Sequence, residues 1–277
     1  MRVVEYCDAP TLWRETEAFL SHDPANNTHQ LSAIKRILDL GARGGERFFA
    51  LHDDRAMLTG SAVVVDTQTL FLSVMPRDVV ASLATHLRDA NLHLAGVIGR
   101  QDVLDTFVAT FAQAATVHVN LMLYQLEGDP DFGRATGEAR LATMDDLSLL
   151  VDWHDAFEQE VSMIKVPTPL GERVARRIRD RQLTLWIDEG ATVSFAGANA
   201  LPAASARVGP VYTPPELRGR GYAQAVTAAA SLRVQNDVPR TVFLFTDAAN
   251  PASNKAYQRI GFRHIADHAH RLFKAAQ

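Results

Sequence analysis

Val208-Gly-Pro-Val-Tyr-Thr-Pro-Pro-Glu-Leu-Arg-Gly-Arg-Gly-Tyr-Ala-Gln-Ala-Val226 is the stretch on which the reading of this chain turns. A β-rich run ends in a Pro-Pro turn, a basic loop with two glycines follows, and a helix of small residues leaves it. Gly219 and Gly221 allow the backbone to approach a bound group closely. Amides at a helix N-terminus then point at that group, and the helix dipole adds roughly half a positive charge. Arg218 and Arg220 supply full charges. The combination reads as a cradle for a pyrophosphate. A lone Gly-x-Gly would be an ordinary strand-to-helix connection; here the strand, the prolines, the arginines and the helix occur in order. A dinucleotide fold would place Gly-x-Gly-x-x-Gly in a βαβ unit with a ribose-binding acid about 20 residues on. Neither that arrangement nor the Gly-Lys-Ser/Thr of a Walker A loop is present.

Outward from this segment, the second half reads as a strand at 139–142, a helix opened by Thr143 with Asp146 as its capping-box partner, and an Arg-rich helix at 171–181. Strands follow at 183–188, 191–199 and 204–212. A long helix is expected from about 219 to 235, then a strand at 241–246, a helix at 252–260 and a strand at 262–273. The first half shows a similar order. Helices are expected at 11–20, 28–40, after Pro76 and at 101–114, and strands at 47–52, 57–65, 69–74, 93–98 and 116–126. Residues 128–138 cluster acidic residues, Gly and Pro without apolar periodicity and read as a linker. The expected fold is therefore α/β, with two similar domains at 1–127 and 139–277, each a mixed, mostly antiparallel sheet flanked by helices.

Arg218-Gly-Arg-Gly221-Tyr-Ala223 resembles the acyl-CoA motif of the GCN5-related N-acetyltransferase (GNAT) family, Arg/Gln-x-x-Gly-x-Gly/Ala. The resemblance continues in Asn250-Pro-Ala-Ser-Asn-Lys-Ala-Tyr257-Gln-Arg-Ile-Gly261-Phe262 and covers about residues 139–273. It implies acetyl-CoA as co-substrate, no metal, and transfer of the acetyl group to a primary amine. The backbone of Val211, Tyr212 and Thr213 would hold the pantetheine arm. Arg218, Gly219, Arg220, Gly221, Tyr222, Ala223 and Gln224 would hold the pyrophosphate. Asn250 and Tyr257 would also contact the cofactor, with Tyr257 as general acid toward the leaving thiolate. The first half has no such motif, because Leu72-Ser-Val-Met-Pro76 leads directly into a helix. It is expected to be a degenerate GNAT-like domain that binds no CoA.

The general base is the open point. Many GNAT members carry Glu five residues before the Asn; this chain has Phe245 there. Asp247 shares a strand face with it. Glu158 and His154 share a helix face at i, i+4 spacing. Glu160 and Glu216 are further options, each otherwise a solvated carboxylate. The missing Glu keeps open a second reading, a non-catalytic acyl-CoA sensor. A third is transfer to an oxygen acceptor, or of a longer acyl chain. Residues 152–170 are the expected acceptor-binding segment. His264, His268 and His270 are expected on an exposed strand, and the arginines between 173 and 181 on a solvated helix face. Trp153, Phe157 and Val161 read as core.

Charge and composition bound these readings. There are 28 basic and 32 acidic side chains, net −4. The first 127 residues carry −5 and the remainder +1, which makes the second half the better host for an anion. No basic face for nucleic acid and no apolar run of membrane-spanning length is present. A single cysteine, Cys7, and an N-terminus without an apolar signal core favour a cytoplasmic protein; a monomer or homodimer is expected.

Overall fold

The computed structural model describes residues 1–161, 166 and 168–274. The first half comprises β1 (Arg2–Tyr6), α1 (Ala9–His22), α2 (Thr28–Leu40), β2 (Arg47–His52), β3 (Leu58–Val64), β4 (Thr69–Leu72), α3 (Arg77–Asp89), β5 (Gly96–Arg100), α4 (Gln101–Phe111) and β6 (Ala115–Leu126). The second comprises β7 (Glu138–Leu141), a 3₁₀ turn (Met144–Asp146), α5 (Leu147–Glu160), α6 (Leu170–Arg179), β8 (Leu183–Asp188), β9 (Ala191–Leu201) and β10 (Ser205–Tyr212). After a second 3₁₀ turn (Pro215–Leu217) come α7 (Tyr222–Asp237), β11 (Thr241–Asp247), α8 (Pro251–Ile260) and β12 (Phe262–Phe273). The elements repeat in order, strand for strand. Two features differ from expectation. β1 is an unforeseen edge strand, too short to show a period. β5 begins at Gly96 rather than at residue 93.

The twelve strands of the described residues form one sheet in the order β1-β2-β3-β4-β5-β12-β6-β11-β10-β9-β8-β7. This order maps onto itself when the halves are exchanged, and the last strand of each half has crossed to the other. β12 lies beside β5, with His268 to Leu272 opposite Arg100 to Gly96. β6 lies beside β11, with Leu121 to Gln125 opposite Asp247 to Phe243. β6 and β12 pair antiparallel at the centre. The halves thus share one continuous sheet rather than two separate ones. Pairing is antiparallel except between β4 and β5 and between β10 and β11.

Each face is layered by helices. On one face of the second half, Ala225, Ala228 and Ala229 of α7 pack against Ala196, Ala198, Ala206 and Val208 of the sheet. Small side chains on both sides let this helix sit close. On the other face, α5 and α6 cover Leu183, Leu185, Phe195 and Tyr212. Fully burying a side chain such as Phe195 contributes about 1.5–3 kcal/mol. The segment 128–138 is not a bare tether. Phe132 and Ala135 pack on the core beneath α7, and Trp186 Nε1 donates to the Thr136 carbonyl at 2.8 Å.

Candidate active site

β10 pairs with β11 only from Ser205 to Val208. It then bulges and continues to Tyr212 paired with β9 alone. A wedge opens in the sheet beside residues 209–212, where backbone groups on the β11 side have no strand to pair with. Such groups favour a ligand that can act as an added strand. Val211 and Tyr212 line this edge. Thr213, at its end, is buried and shares a 2.8 Å hydrogen bond with Ser194.

The loop after the wedge closes on itself. Arg218 Nε donates to the Thr213 carbonyl at 2.9 Å. Its Nη2 lies 2.7 and 2.8 Å from the two oxygens of Glu160. That ion pair is exposed, and such pairs are worth at most about 1 kcal/mol. The pair therefore adds little that would oppose Arg218 exchanging Glu160 for another anion. Gly219 (φ +81°) and Gly221 (φ +86°) occupy left-handed backbone that favours glycine. Gly221 is the N-cap of α7, and no side chain caps its first amides. Arg220 is exposed at the rim. Tyr222 turns inward and donates its phenol to Asp188, and this bond holds the Asp188 carboxyl below its ordinary range. The Gln224 side chain turns aside to the Asp131 carbonyl at 3.3 Å. The side chains of both residues are thus turned away from the loop, leaving the first amides of α7 as the groups facing it.

Asn250 caps α8 by accepting from Ser253 N at 3.1 Å, and Tyr257 follows two turns on. The Tyr257 ring meets Phe262 edge-on with centroids 6.2 Å apart. Burial pushes its phenol up to about 12.

The candidate bases differ in their surroundings. Both oxygens of Glu158 are held by Arg173, at 2.8 and 3.0 Å. Asp247, at the exposed end of β11, accepts from Ala249 N at 2.8 Å and has no cationic partner among the described residues. Phe245 is stacked on His29 of α2 at 4.2 Å and meets His268 edge-on at 5.1 Å. The first half thus reaches over the second half's site. His154 donates Nδ1–H to the Leu150 carbonyl at 2.7 Å, and its ring stacks on Phe195. Burial and nearby Arg177 pull its pKa down to about 3.

Three sequence expectations are corrected here, the first being Val161, expected in the core but exposed at the end of α5. His268 and His270 are buried, because β12 is central to the sheet rather than a surface strand, and burial lowers both to about 4. The arginine run is not a purely solvated face, since Arg173 holds Glu158 and Arg177 Nη2 donates to the Gly209 carbonyl at 2.8 Å. The acceptor segment expected at 152–170 lies partly outside the described residues.

The first half is built differently at the corresponding place. Only residues 73–76 separate β4 from α3, against nine between β10 and α7. Asn27 Oδ1 accepts from Val74 N at 3.1 Å, filling the position next to β4. Met75 packs against Gly60, where an added Cβ would fall 3.0 Å from its sulfur.

Among the described residues no group of three or more His, Cys, Asp or Glu is gathered to hold a metal, and no helix is long and apolar enough to cross a membrane. Residues 187–272 match the family described as FR47-like protein. No curated protein matches the sequence. Among solved structures, a GNAT-family acetyltransferase from Colwellia psychrerythraea is 16% identical, with 99% of this chain and 100% of that chain covered and a TM-score of 0.64. A GCN5-related N-acetyltransferase from Sphaerobacter thermophilus is 16% identical, with coverages of 98% and 95% and a TM-score of 0.65. A tandem GNAT protein from the clavulanic acid biosynthesis pathway is 11% identical, with coverages of 100% and 99% and a TM-score of 0.56. The chain has a tandem GNAT-like fold, and its second half carries the match to the FR47-like family.

Proposed function

We propose that this chain is an acetyl-CoA-dependent N-acetyltransferase with one acyl-CoA site, in residues 139–277, acting on a primary amine in the cytoplasm. The observation that carries this reading is the continuity of the wedge beside Val211–Thr213 with the Gly219–Gly221 turn and the uncapped N-terminus of α7. An extended arm ending in a pyrophosphate fits that path, and the left-handed glycines leave the phosphates room. Bound acetyl-CoA supplies a thioester carbonyl for attack by the amine; a C–N bond forms and the C–S bond breaks, the amine proton passing to Asp247 and the released thiolate taking its proton from solvent after it leaves the Tyr257 hydroxyl.

The chain's own contribution is chiefly positioning. Backbone amides along the wedge orient the acyl arm and polarise its carbonyl. Tyr257 holds a hydrogen-bond donor toward the departing sulfur. Asp247 takes the amine proton, directly or through water, since Glu158 is occupied by Arg173. Residues 1–127 form a degenerate GNAT-like unit that wins no CoA and walls the acceptor side through His29.

Phe245 in place of the family's Glu favours the rival reading, an acyl-CoA sensor. Release of CoA thiol from acetyl-CoA over a panel of amines tests the proposal. Turnover with an N-acetylated product supports it. Tight binding with no turnover on any amine favours the sensor, and an ester or a longer-chain product in the mass spectrum redirects the assignment.

A further inference from the structure

Ala206 and Val208 of β10 face α7, so Arg207 and Gly209 between and beyond them face the opposite side, where α5 and α6 lie. Asn199 stands directly across from Arg207 on β9. Arg177 reaches this face from α6 and donates to the Gly209 carbonyl at the point where the wedge begins. Its guanidinium lies over Gly197, where an added Cβ would fall 2.2 Å from Nη2 and 2.8 Å from the Gly209 oxygen. Any other residue at 197 would displace it. Glycine inside a strand marks such a close approach, and the slot is made for this side chain.

Several arginines nearby, though not Arg176, have acidic partners among the described residues. Arg173 has Glu158, Arg36 has Asp66, and Arg218 has Glu160. Arg177 and Arg207 have none among the described residues. Arg177 Nε, Asn199 Oδ1 and His29 Nε2 are buried without hydrogen-bond partners there. Burial and the repulsion of neighbouring arginines pull Arg177 down to about 10, and burial alone takes Arg207 to about 10, so both stay charged at neutral pH. Burial keeps His29 neutral. Both side chains are half-buried, and a partly desolvated charge without a counter-charge is costly and favours a counter-ion. This pair sits on the acceptor side of the wedge, with Arg207 about 7 Å along the strand from Gly209.

We infer that Arg177 and Arg207 bind an anionic group on the acceptor, so that the acetylated molecule is a small amine that also carries a carboxylate or a phosphate. This rests on the acetyltransferase reading for the reaction, though the anion site itself does not need it. Such an acceptor carries its anion close to its amine, which the amine of a protein lysine lacks.

The test uses the full chain and matched probes: glycine and glycinamide, phenylalanine and phenylalaninamide, O-phosphoethanolamine and ethanolamine, and inorganic phosphate against chloride at equal ionic strength. Thermal shift and acetyl-transfer kcat/KM are read for wild type, Arg207→Met and Arg177→Met. The expected result is an upward Tm shift with phosphate or with anionic pair members in wild type, lost in Arg207→Met. Anionic members should be preferred by about 10- to 150-fold, as expected for charge-assisted hydrogen bonds, and the preference should collapse in either variant, with acetyl-CoA affinity retained in Arg207→Met. Without ligand, Arg207→Met should be as stable as wild type or more so. The carboxylate and phosphate arms separate the two anion types. If neither phosphate nor any anionic member shifts wild type relative to Arg207→Met, or if neutral amines are used as well as anionic ones, the inference is overturned. A marked loss of stability in ligand-free Arg207→Met would make the residue structural and also overturn it. An Arg-dependent shift in a protein that binds no acetyl-CoA would keep the anion site and remove the acetyltransferase reading instead.

Discussion

Replacing Tyr257 by Phe removes one hydroxyl and leaves the ring packed on Phe262. Burial puts the Tyr257 phenol at about 12. An alkyl thiolate has a conjugate acid near 8.5, so complete transfer of the phenol's proton to sulfur runs uphill by about 5 kcal/mol. On the proposed mechanism the phenol would then act chiefly as a hydrogen-bond donor to the developing thiolate. A hydrogen bond to a charged acceptor contributes about 1.5–3 kcal/mol, which corresponds to a rate loss of about 10- to 150-fold in Tyr257→Phe. The assay is single-turnover acetyl transfer with acetyl-CoA bound beforehand, which keeps product release from masking chemistry. Acetyl-CoA affinity should stay within a few-fold. A phenol raised by burial also gives no basic limb to the pH–rate profile near neutral pH. A wild-type rate in Tyr257→Phe would remove Tyr257 from the mechanism. A loss beyond about 10,000-fold would show that full proton transfer is required and that the reasoning from burial is wrong.

Further outcomes follow from other parts of the site. Gly197→Ala drives a methyl into Arg177, so it should cost about 1–3 kcal/mol in urea unfolding and weaken acceptor use far more than acetyl-CoA binding; unchanged stability would show that the slot is loose. Glu158→Gln should lower Tm by loosening Arg173 while sparing chemistry, whereas Asp247→Asn should depress the rate with little change in Tm, and the reverse pattern would exchange their roles. His154, His268 and His270 are neutral when folded, with pKa values near 3, 4 and 4, but protonate near 6.5 when unfolded. The unfolded chain then binds more protons below pH 6.5, so stability falls as pH drops from about 6.5 toward 4, by up to about 3 kcal/mol per histidine. A Tm that is flat from pH 7 to 5 would contradict that burial.

What was legible in the sequence was local. The cradle lies in consecutive residues, so Pro214, Pro215, Gly219 and Gly221 announce a turn, a loop and a helix start without knowledge of any distant strand. The α2 helix was readable because Leu31, Ile34, Ile37 and Leu38 fall on one stripe and Gly41 ends it. The exchange of β6 and β12 was not legible. Side-chain pattern marks a strand but does not say which neighbour it pairs with, and the consequence was to misplace His268 and His270 on the surface. The acceptor face was hidden for the same reason, since His29, Arg177, Asn199 and Arg207 come from four elements. One signal was available. Gly197 falls inside the strand Ala191–Leu201, and a glycine there points to close approach by another group. Arg177 also falls on the Val174–Ile178 side of an Arg-rich helix, where a fully solvated side chain is out of place.

The central claim is that one acyl-CoA site exists, at the Gly219–Gly221 cradle. Calorimetric titration of acetyl-CoA into wild type and Gly221→Glu tests it most directly. Glutamate at 221 would be strained at φ +86° and would set a negative charge where the phosphates must lie. The account predicts one acetyl-CoA per wild-type chain and no measurable binding to a folded Gly221→Glu. Two molecules per chain, no binding to wild type, or unchanged affinity in Gly221→Glu would contradict it.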